Sequence, residues 1–324
     1  MNSKTLLKAI SLLFVLICGT YVSMSYQKQQ NIPEAIIGTP VFDKALNHTE
    51  NINKISFQTS KSHFDLIMKD NYWRISQEDD YYAGTTMVNN LLSQLKNTVY
   101  YAKQKATPEL LQKYGLHQDS KGDNIAQIKL YSKGQLLESI NLGHTTNNGL
   151  YTYAYRPESD EIWLITGVFT LPQESYSWLQ QPLFSYAPEQ IKSIVMKKND
   201  QKFIAARLNP KQPFVNQDFK EARVDLLLED FRYFIFQKVK NKQHFDFSKF
   251  PQKKEIKIIT FSGLVNEITL YSNQKEYWIS SKLSSLNLSN PNIDEYIENN
   301  KILFENWIFE LPELSGKILF GVGV

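Results

Sequence analysis

The sequence predicts an α+β fold: two related repeats of an antiparallel β-meander crossed by an amphipathic helix, preceded by one N-terminal transmembrane helix. Three observations predict it. An uncharged run from Ala9 to Gln27 follows two lysines at the start of the chain. Short runs of period two, bounded by turn residues, alternate with single helical stripes. The same order of elements then occurs a second time.

The N-terminal run is centred on Leu12-Leu13-Phe14-Val15-Leu16-Ile17. As a helix it reaches about 28 Å, enough to cross a hydrocarbon core of about 30 Å. Lys4 and Lys8 precede it, so the excess of positive charge holds the N-terminus in the cytoplasm and sends the remainder across. A cleaved signal peptide is the competing reading, with Ser23 and Ser25 as small residues near a cut. The apolar Tyr21, Val22 and Met24 extend the run beyond a signal core, which favours an uncleaved anchor over residues 1–27. Lipid attachment at Cys18 is disfavoured by Ile17 before it, and as Cys18 is the only cysteine, the chain has no intrachain disulfide and no cysteine zinc site. Residues 28–51 are polar, carry Pro33 and Pro40 and show no period, and read as a linker.

The first unit is expected over residues 52–189. Lys54–Thr59, His63–Lys69 and Tyr72–Ser76 read as a meander, turned at Ser60-Lys61-Ser62 and at Asp70-Asn71. Met87, Val88, Leu91, Leu92 and Leu95 recur at helical spacing and make one stripe. A short helix follows, with Thr107 as cap, Pro108 at the first position, Glu109 at the positive dipole end and Gly115 as terminator. A second meander runs through Ala126–Ser132, Leu136–Leu142, Leu150–Arg156 and Glu161–Thr166, with turns at Lys133-Gly134 and Asn147-Asn148-Gly149. Leu171–Leu179 reads as a short helix.

The second unit is expected over residues 190–324. It opens with a hairpin, Gln190–Lys198 and Gln201–Leu208 about Asn199-Asp200. A long helix from Asp218 to Lys240 carries Ala222, Leu227, Leu228, Phe231, Phe234 and Ile235 near one stripe. Strands at Glu255–Ser262, Leu264–Tyr271 and Glu276–Ser281 precede a helical patch at Ile293–Asn300. Trp178, Pro188-Glu189 and Ile194-Val195-Met196 are echoed in the same order by Trp307, Pro312-Glu313 and Ile318-Leu319-Phe320, so Lys317–Val322 is expected as a terminal strand, the first of a third unit that stops there.

Composition narrows the chemistry. The 324 residues include 18 Tyr and 19 Phe, with 42% hydrophobic and 21% charged, the balance of a folded chain with a real core. Of 36 basic residues against 33 acidic ones, Lys4 and Lys8 belong to the N-terminal segment; the globular part is near neutral and no nucleic-acid partner is expected. Lys197-Lys198, Lys238/Lys240/Lys242 and Lys253-Lys254 read as solvated faces. The five histidines, His48, His63, His117, His144 and His244, lack the spacing of a helical metal site. Ser62-His63 with Asp65 alternate across a strand, so Ser62 and His63 face opposite ways. Glu78-Asp79-Asp80, the densest acidic run, reads as a solvated turn, and Gly143 to Gly149 as a hairpin connection. No catalytic, cofactor-binding or metal-binding residue is expected. Tyr151, Tyr153, Tyr155 and Trp163 fall on neighbouring strands with period two; they either fill one side of a core or form a platform for a glycan or a protein.

Three groups of residues carry a family resemblance. Asn71-Tyr72-Trp73-Arg74-Ile75 follows the first hairpin, Lys113-Tyr114-Gly115-Leu116 closes the short helix, and Leu142-Gly143 precedes the Tyr151-Thr152-Tyr153 strand. In these the chain resembles the bacterial DUF4340 family, over most of Ile52–Met196 and more weakly in the second half. It departs where His117-Gln118 follows Tyr-Gly-Leu, since members often place a proline there. The resemblance implies a membrane-anchored, non-enzymatic accessory or scaffold subunit of an envelope transport assembly, with ABC-type transporter subunits as partners. It further implies a single-pass protein of the bacterial inner membrane with its C-terminal domain outside the cytoplasm. A periplasmic ligand- or glycan-binding protein is the alternative, and a hydrolase the third.

Overall fold

Tight turns set the strand order in the first half, and the sequence encodes them in residues that tolerate a positive φ. The computed structural model describes residues 36–42, 52–117, 120, 122, 125–198, 201–217, 221–286 and 290–321. Strands β1 (Lys54–Thr59), β2 (His63–Lys69) and β3 (Tyr72–Ile75) form the expected first meander. Asp70 (φ 52) and Asn71 (φ 65) make the two-residue turn between the last two, the conformation that short Asp and Asn side chains adopt most readily. A two-residue strand β4 (Tyr81–Tyr82) precedes helix α1 (Thr85–Lys96), whose Val88, Leu91 and Leu95 are the buried stripe. Strand β5 (Tyr100–Lys105) leads to α2 (Pro108–Lys113), where the Thr107 side chain accepts from Leu110 N as a cap should. The second meander is β6 (Ala126–Ser132), β7 (Gln135–Thr145), β8 (Tyr151–Tyr155) and β9 (Glu161–Thr166).

The second half supplies β10 (Ile191–Lys198), β11 (Gln201–Ala206), β12 (Val215–Gln217), α3 (Glu221–Arg232) and β13 (Lys238–Asn241). After these come β14 (Gln252–Thr260), β15 (Leu264–Ser272), β16 (Tyr277–Ser285), α4 (Pro291–Asn300), β17 (Trp307–Glu310) and α5 (Glu313–Phe320). The result is a mixed α+β fold with two antiparallel sheets and few helices. The nine-stranded sheet has the order β4-β3-β2-β1-β6-β7-β8-β9-β5, and the eight-stranded one β12-β11-β10-β14-β15-β16-β17-β13. Without the short β4 the two orders coincide. In each, three strands run to one edge in reverse chain order, a four-stranded meander runs the other way, and the strand after the helix returns to the far edge.

Two compact units divide the chain: residues up to Phe64 together with Val88–Glu174, and Asp65–Met87 together with Ser175 onward. In the first, Ile55, Phe57, Phe64, Ile128, Leu130 and Ile140 are buried, and the Phe57 and Phe64 rings stack at 4.9 Å. In the second, the short segment Asp65–Met87 contributes core residues of its own. Tyr81 is fully buried, with its ring edge-on to Phe236 at 5.7 Å, Trp307 at 5.1 Å and Phe309 at 5.6 Å. Backbone bonds fix it there: Gly84 N donates to Trp178 O and Gln180 N to Tyr82 O, at 2.8 and 2.9 Å.

Several expectations need correction. Lys317–Val322 is not a strand: residues 313–320 form α5, and Val322 lies outside the described residues. Glu313 and Lys317 pair across one helical turn at 2.5 Å, Gly321 takes φ 74 as a left-handed terminator, and Gly316 lets the Tyr277 ring approach where a Cβ would clash. Trp307 therefore belongs to β17, which occupies the place of β9 in the shared strand order, and is no counterpart of Trp178. The long helix of Asp218–Lys240 is helical at Glu221–Arg232, and residues 238–241 are the strand β13. Leu171–Leu179 holds a single 3₁₀ turn, Ser175–Trp178. The expected membrane segment, Ala9–Gln27, lies outside the described residues, and among the described residues no helix is long and apolar enough to cross a membrane.

Replacing Tyr81 with alanine removes the ring on which Phe236, Trp307 and Phe309 close. The expected cost is about 3–5 kcal/mol, measured as a loss of unfolding free energy in denaturant, with a Tyr81→Phe variant retaining most of the stability.

Candidate functional site

Strand β8 places Tyr151, Tyr153 and Tyr155 on one face, because successive side chains alternate, and Thr152 and Ala154 are buried on the other. Opposite on β9, Ala154 pairs with Trp163. Cross-strand partners share a face, so Trp163 sits on the buried side with Ala154. The four aromatic residues grouped from sequence thus divide, three on a half-exposed face and one in the interior.

Two further tyrosines complete that face. Tyr101 stacks on Tyr151 with centroids 4.0 Å apart, and Tyr114 stacks on Tyr153 at 3.8 Å. Burial and the neighbouring Tyr114 hold the Tyr153 phenol above its ordinary pKa. Tyr101 is 46% exposed. Sequence reading missed it because Tyr-Tyr-Ala-Lys-Gln-Lys has no period of its own, and β5 is a strand only by pairing with β9.

The Tyr114 pairing depends on a close approach of backbones. His144 N donates to Tyr114 O at 2.8 Å, and Asn141 Nδ2 to Leu116 O at 3.2 Å. A Cβ at Gly143 would lie 2.1 Å from Tyr114 O, so only glycine admits the end of α2 against β7. Gly115, at φ 70, makes the turn that aims Leu116 inward. The three sequence groups Lys113–Leu116, Leu142-Gly143 and Tyr151–Tyr153 therefore meet at one place. Beside them lies a cleft of about 310 Å³, with Ser60, His117, Gln127, Asn141 and Tyr155 in its lining.

The chain arriving from the N-terminus is pinned in the same unit. Gly38 N donates to Tyr100 O, Tyr100 N to Thr39 O and Val41 N to Thr98 O, at 2.8 to 3.0 Å. Arg156 Nη2 donates to Val41 O at 2.8 Å, and its Nε reaches Glu138 at 3.0 Å. Phe42 is buried. Residues 36–42, expected as part of a linker, are thus fastened along the start of β5, next to Tyr101.

The remaining candidates have structural partners. Ser62 Oγ donates to Gln173 O at 2.7 Å, and His63 is exposed. Glu78, Asp79 and Asp80 are more than a solvated turn, for each carboxylate is engaged separately. Glu78 accepts from Ser175 Oγ at 2.5 Å, Asp79 from Asn241 N at 2.9 Å with His244 Nδ1 at 3.3 Å, and Asp80 pairs with Lys69 at 3.4 Å. Burial pushes the Glu78 carboxyl above its ordinary value although Ser175 opposes the shift. Within the basic clusters Lys254 departs from a solvated face: it is buried and donates to Leu319 O at 2.7 Å, a cation at the carbonyl end of α5. Lys238 pairs with Glu310 at 2.8 Å, and Lys242 Nζ reaches Glu305 O at 2.7 Å. His48 lies outside the described residues, and among the described residues no cluster of three His, Cys, Asp or Glu could hold a metal. Gly143 to Gly149 is a hairpin connection only in part: Gly143, His144 and Thr145 belong to β7, and the turn before β8 begins at Thr146, closed by Gly149 N to Thr146 O at 2.8 Å.

A family model described as a domain of unknown function, DUF4340, matches residues 73–254. No curated protein and no solved structure matches the chain.

Gly143→Ala is expected to lower stability by about 1–3 kcal/mol, the usual cost of overpacking, read from denaturant unfolding. Near-ultraviolet circular dichroism should change with it, as the Tyr114–Tyr153 stack is displaced.

Proposed function

The chain belongs to the DUF4340 family, and on that premise we propose that it is a non-enzymatic accessory or scaffold subunit of an ABC-type envelope transport assembly. In this reading residues 1–27 anchor it in the bacterial inner membrane with the N-terminus cytoplasmic, and residues 28–51 link the anchor to the extracytoplasmic part. Residues 52–189 and 190–324 are two related repeats, a reading supported by the shared strand order of the two sheets.

The observation that carries the proposal is the half-exposed tyrosine face at the place where the incoming chain is pinned. Nine residue steps lead from Gln27, the end of the anchor, to Ile36, a reach of at most about 32 Å. Fastening residues 36–42 along the start of β5 thus keeps that end of β5 within this reach of the bilayer, with the Tyr101–Tyr151 pair next to it. In this reading the outer loops of a membrane-embedded permease subunit meet this face. Stacked tyrosines suit such a partner, since large rigid rings contribute contact area at little entropic cost. Docking here requires no chemistry from this chain, and ATP hydrolysis belongs to the partner.

The test is mass spectrometry of what co-purifies with the tagged full-length chain after gentle extraction of native membranes. Stoichiometric ABC-type permease or ATPase subunits are expected, falling at least about tenfold in a Tyr101→Ala/Tyr151→Ala variant. Recovery of the chain alone, before and after crosslinking, would remove the proposal.

A further inference from the structure

The second unit contains a larger hollow that the docking reading does not use. It lies by the turn from β14 to β15, the start of β10 and the first turn of α4, with a volume of about 590 Å³, within the range of about 300–1,000 Å³ typical of ligand sites. Among the described residues its lining carries one ionisable carboxyl, Glu189, and no cation. Serine, threonine, asparagine, glutamine and tyrosine side chains make up most of the rest, around Phe261 and Ile293.

A buried polar chain ends at this hollow. Ser281 Oγ donates to Asn266 Oδ1 at 2.5 Å, and Asn266 Nδ2 donates to the Tyr186 hydroxyl at 3.3 Å. These residues are 3%, 1% and 4% exposed respectively. Burying three polar groups in line is costly unless each is satisfied. Asn266 fills the acceptor side of the phenol, and its single proton is left to donate from a residue that lines the hollow. Burial raises the Tyr186 pKa, so that proton stays in place at neutral pH. Above it, Tyr296 is 40% exposed and offers a ring, while Asn290 and Asn292 offer amides that both donate and accept.

We propose that this cleft binds a neutral polyhydroxyl ligand, a short saccharide. Tyr186 donates to a ligand oxygen, the Asn290 and Asn292 amides bond to hydroxyl groups, and the Tyr296 ring covers the C–H face of a sugar ring. The lining selects this class by charge and by hydrogen-bond type. Arg207 lies behind the lining, over the Phe261 ring and close enough to act on Glu189, but its guanidinium donates to the Ile191, Pro210 and Pro188 carbonyls; an anionic ligand would therefore meet Glu189 first, whereas sugar hydroxyls match groups that both donate and accept. The site is independent of the docking face on the other unit.

Isothermal titration of the purified full-length chain with maltotriose, cellotriose and triacetylchitotriose tests this. At least one should bind saturably, with affinity reduced about tenfold or more in Tyr186→Phe and in Asn292→Ala. Asn292 is exposed, so its variant should keep the parent melting temperature. The Tyr101→Ala/Tyr151→Ala variant should titrate unchanged, which separates failure here from failure of the docking reading. Absence of saturable heat with all three sugars up to roughly 10 mM, or affinity unmoved by Asn292→Ala, overturns the proposal. So does saturable binding of tetramethylammonium that is lost in Glu189→Gln.

Discussion

A phenol ring from the first half of the sequence, that of Tyr81, is fully enclosed by Phe236, Trp307 and Phe309 from the second half. Burying an aromatic side chain removes roughly 150–250 Å² from water, an upper estimate of about 4–6 kcal/mol. That is comparable to the whole net stability of a small domain. Polar contacts hold the same segment. Asp79 takes the backbone amide of Asn241, Glu78 takes the hydroxyl of Ser175, and Asp79 and Asp80 turn the chain at φ 53 and 62. The second unit is therefore incomplete as residues 175–321 alone; it requires Asp65–Met87 to close its core.

The same strand order serves different ends in the two sheets. In the first unit the α2 terminus presses on β7 at Gly143, and this approach lets Tyr114 lie flat on Tyr153. The stacked tyrosines that follow remain partly in solvent, and the incoming chain is tied beside them through Tyr100 and Arg156. In the second unit the turn after β14 and the start of α4 stand apart, which leaves a polar hollow above Tyr186. One unit thus carries a flat aromatic surface suited to a protein, and the other a concave polar one suited to a small ligand.

Much of this was legible in the sequence wherever local pattern and tertiary packing agree. β1, β2, β6 and β9 begin and end where their alternation says, and the Thr107–Pro108 cap is visible in residue type alone. The elements missed are those whose structure is conferred by a partner. β5 and β13 are polar edge strands, and β17 is a buried four-residue run. Ile318-Leu319-Phe320 reads as strand because a short apolar run carries no period; the helix is set by Glu313, Lys317 and Gly321 around it. The tyrosine face was half visible. Period two grouped Tyr151, Tyr153 and Tyr155, but the register that turns Trp163 inward and the contacts that add Tyr101 and Tyr114 are not written in any single strand. Tyr186 gave no signal, since the chain through Asn266 and Ser281 is assembled from three distant stretches.

Site-specific photocrosslinking in native membranes tests the docking role most directly. A photoreactive amino acid is placed at position 101 of the full-length chain, with a second probe at Leu208, the most exposed large apolar side chain among the described residues at 87%. If the tyrosine face is the docking surface, position 101 yields one discrete adduct containing a permease subunit, and position 208 yields none. Adducts from position 208 with none from position 101 would contradict it.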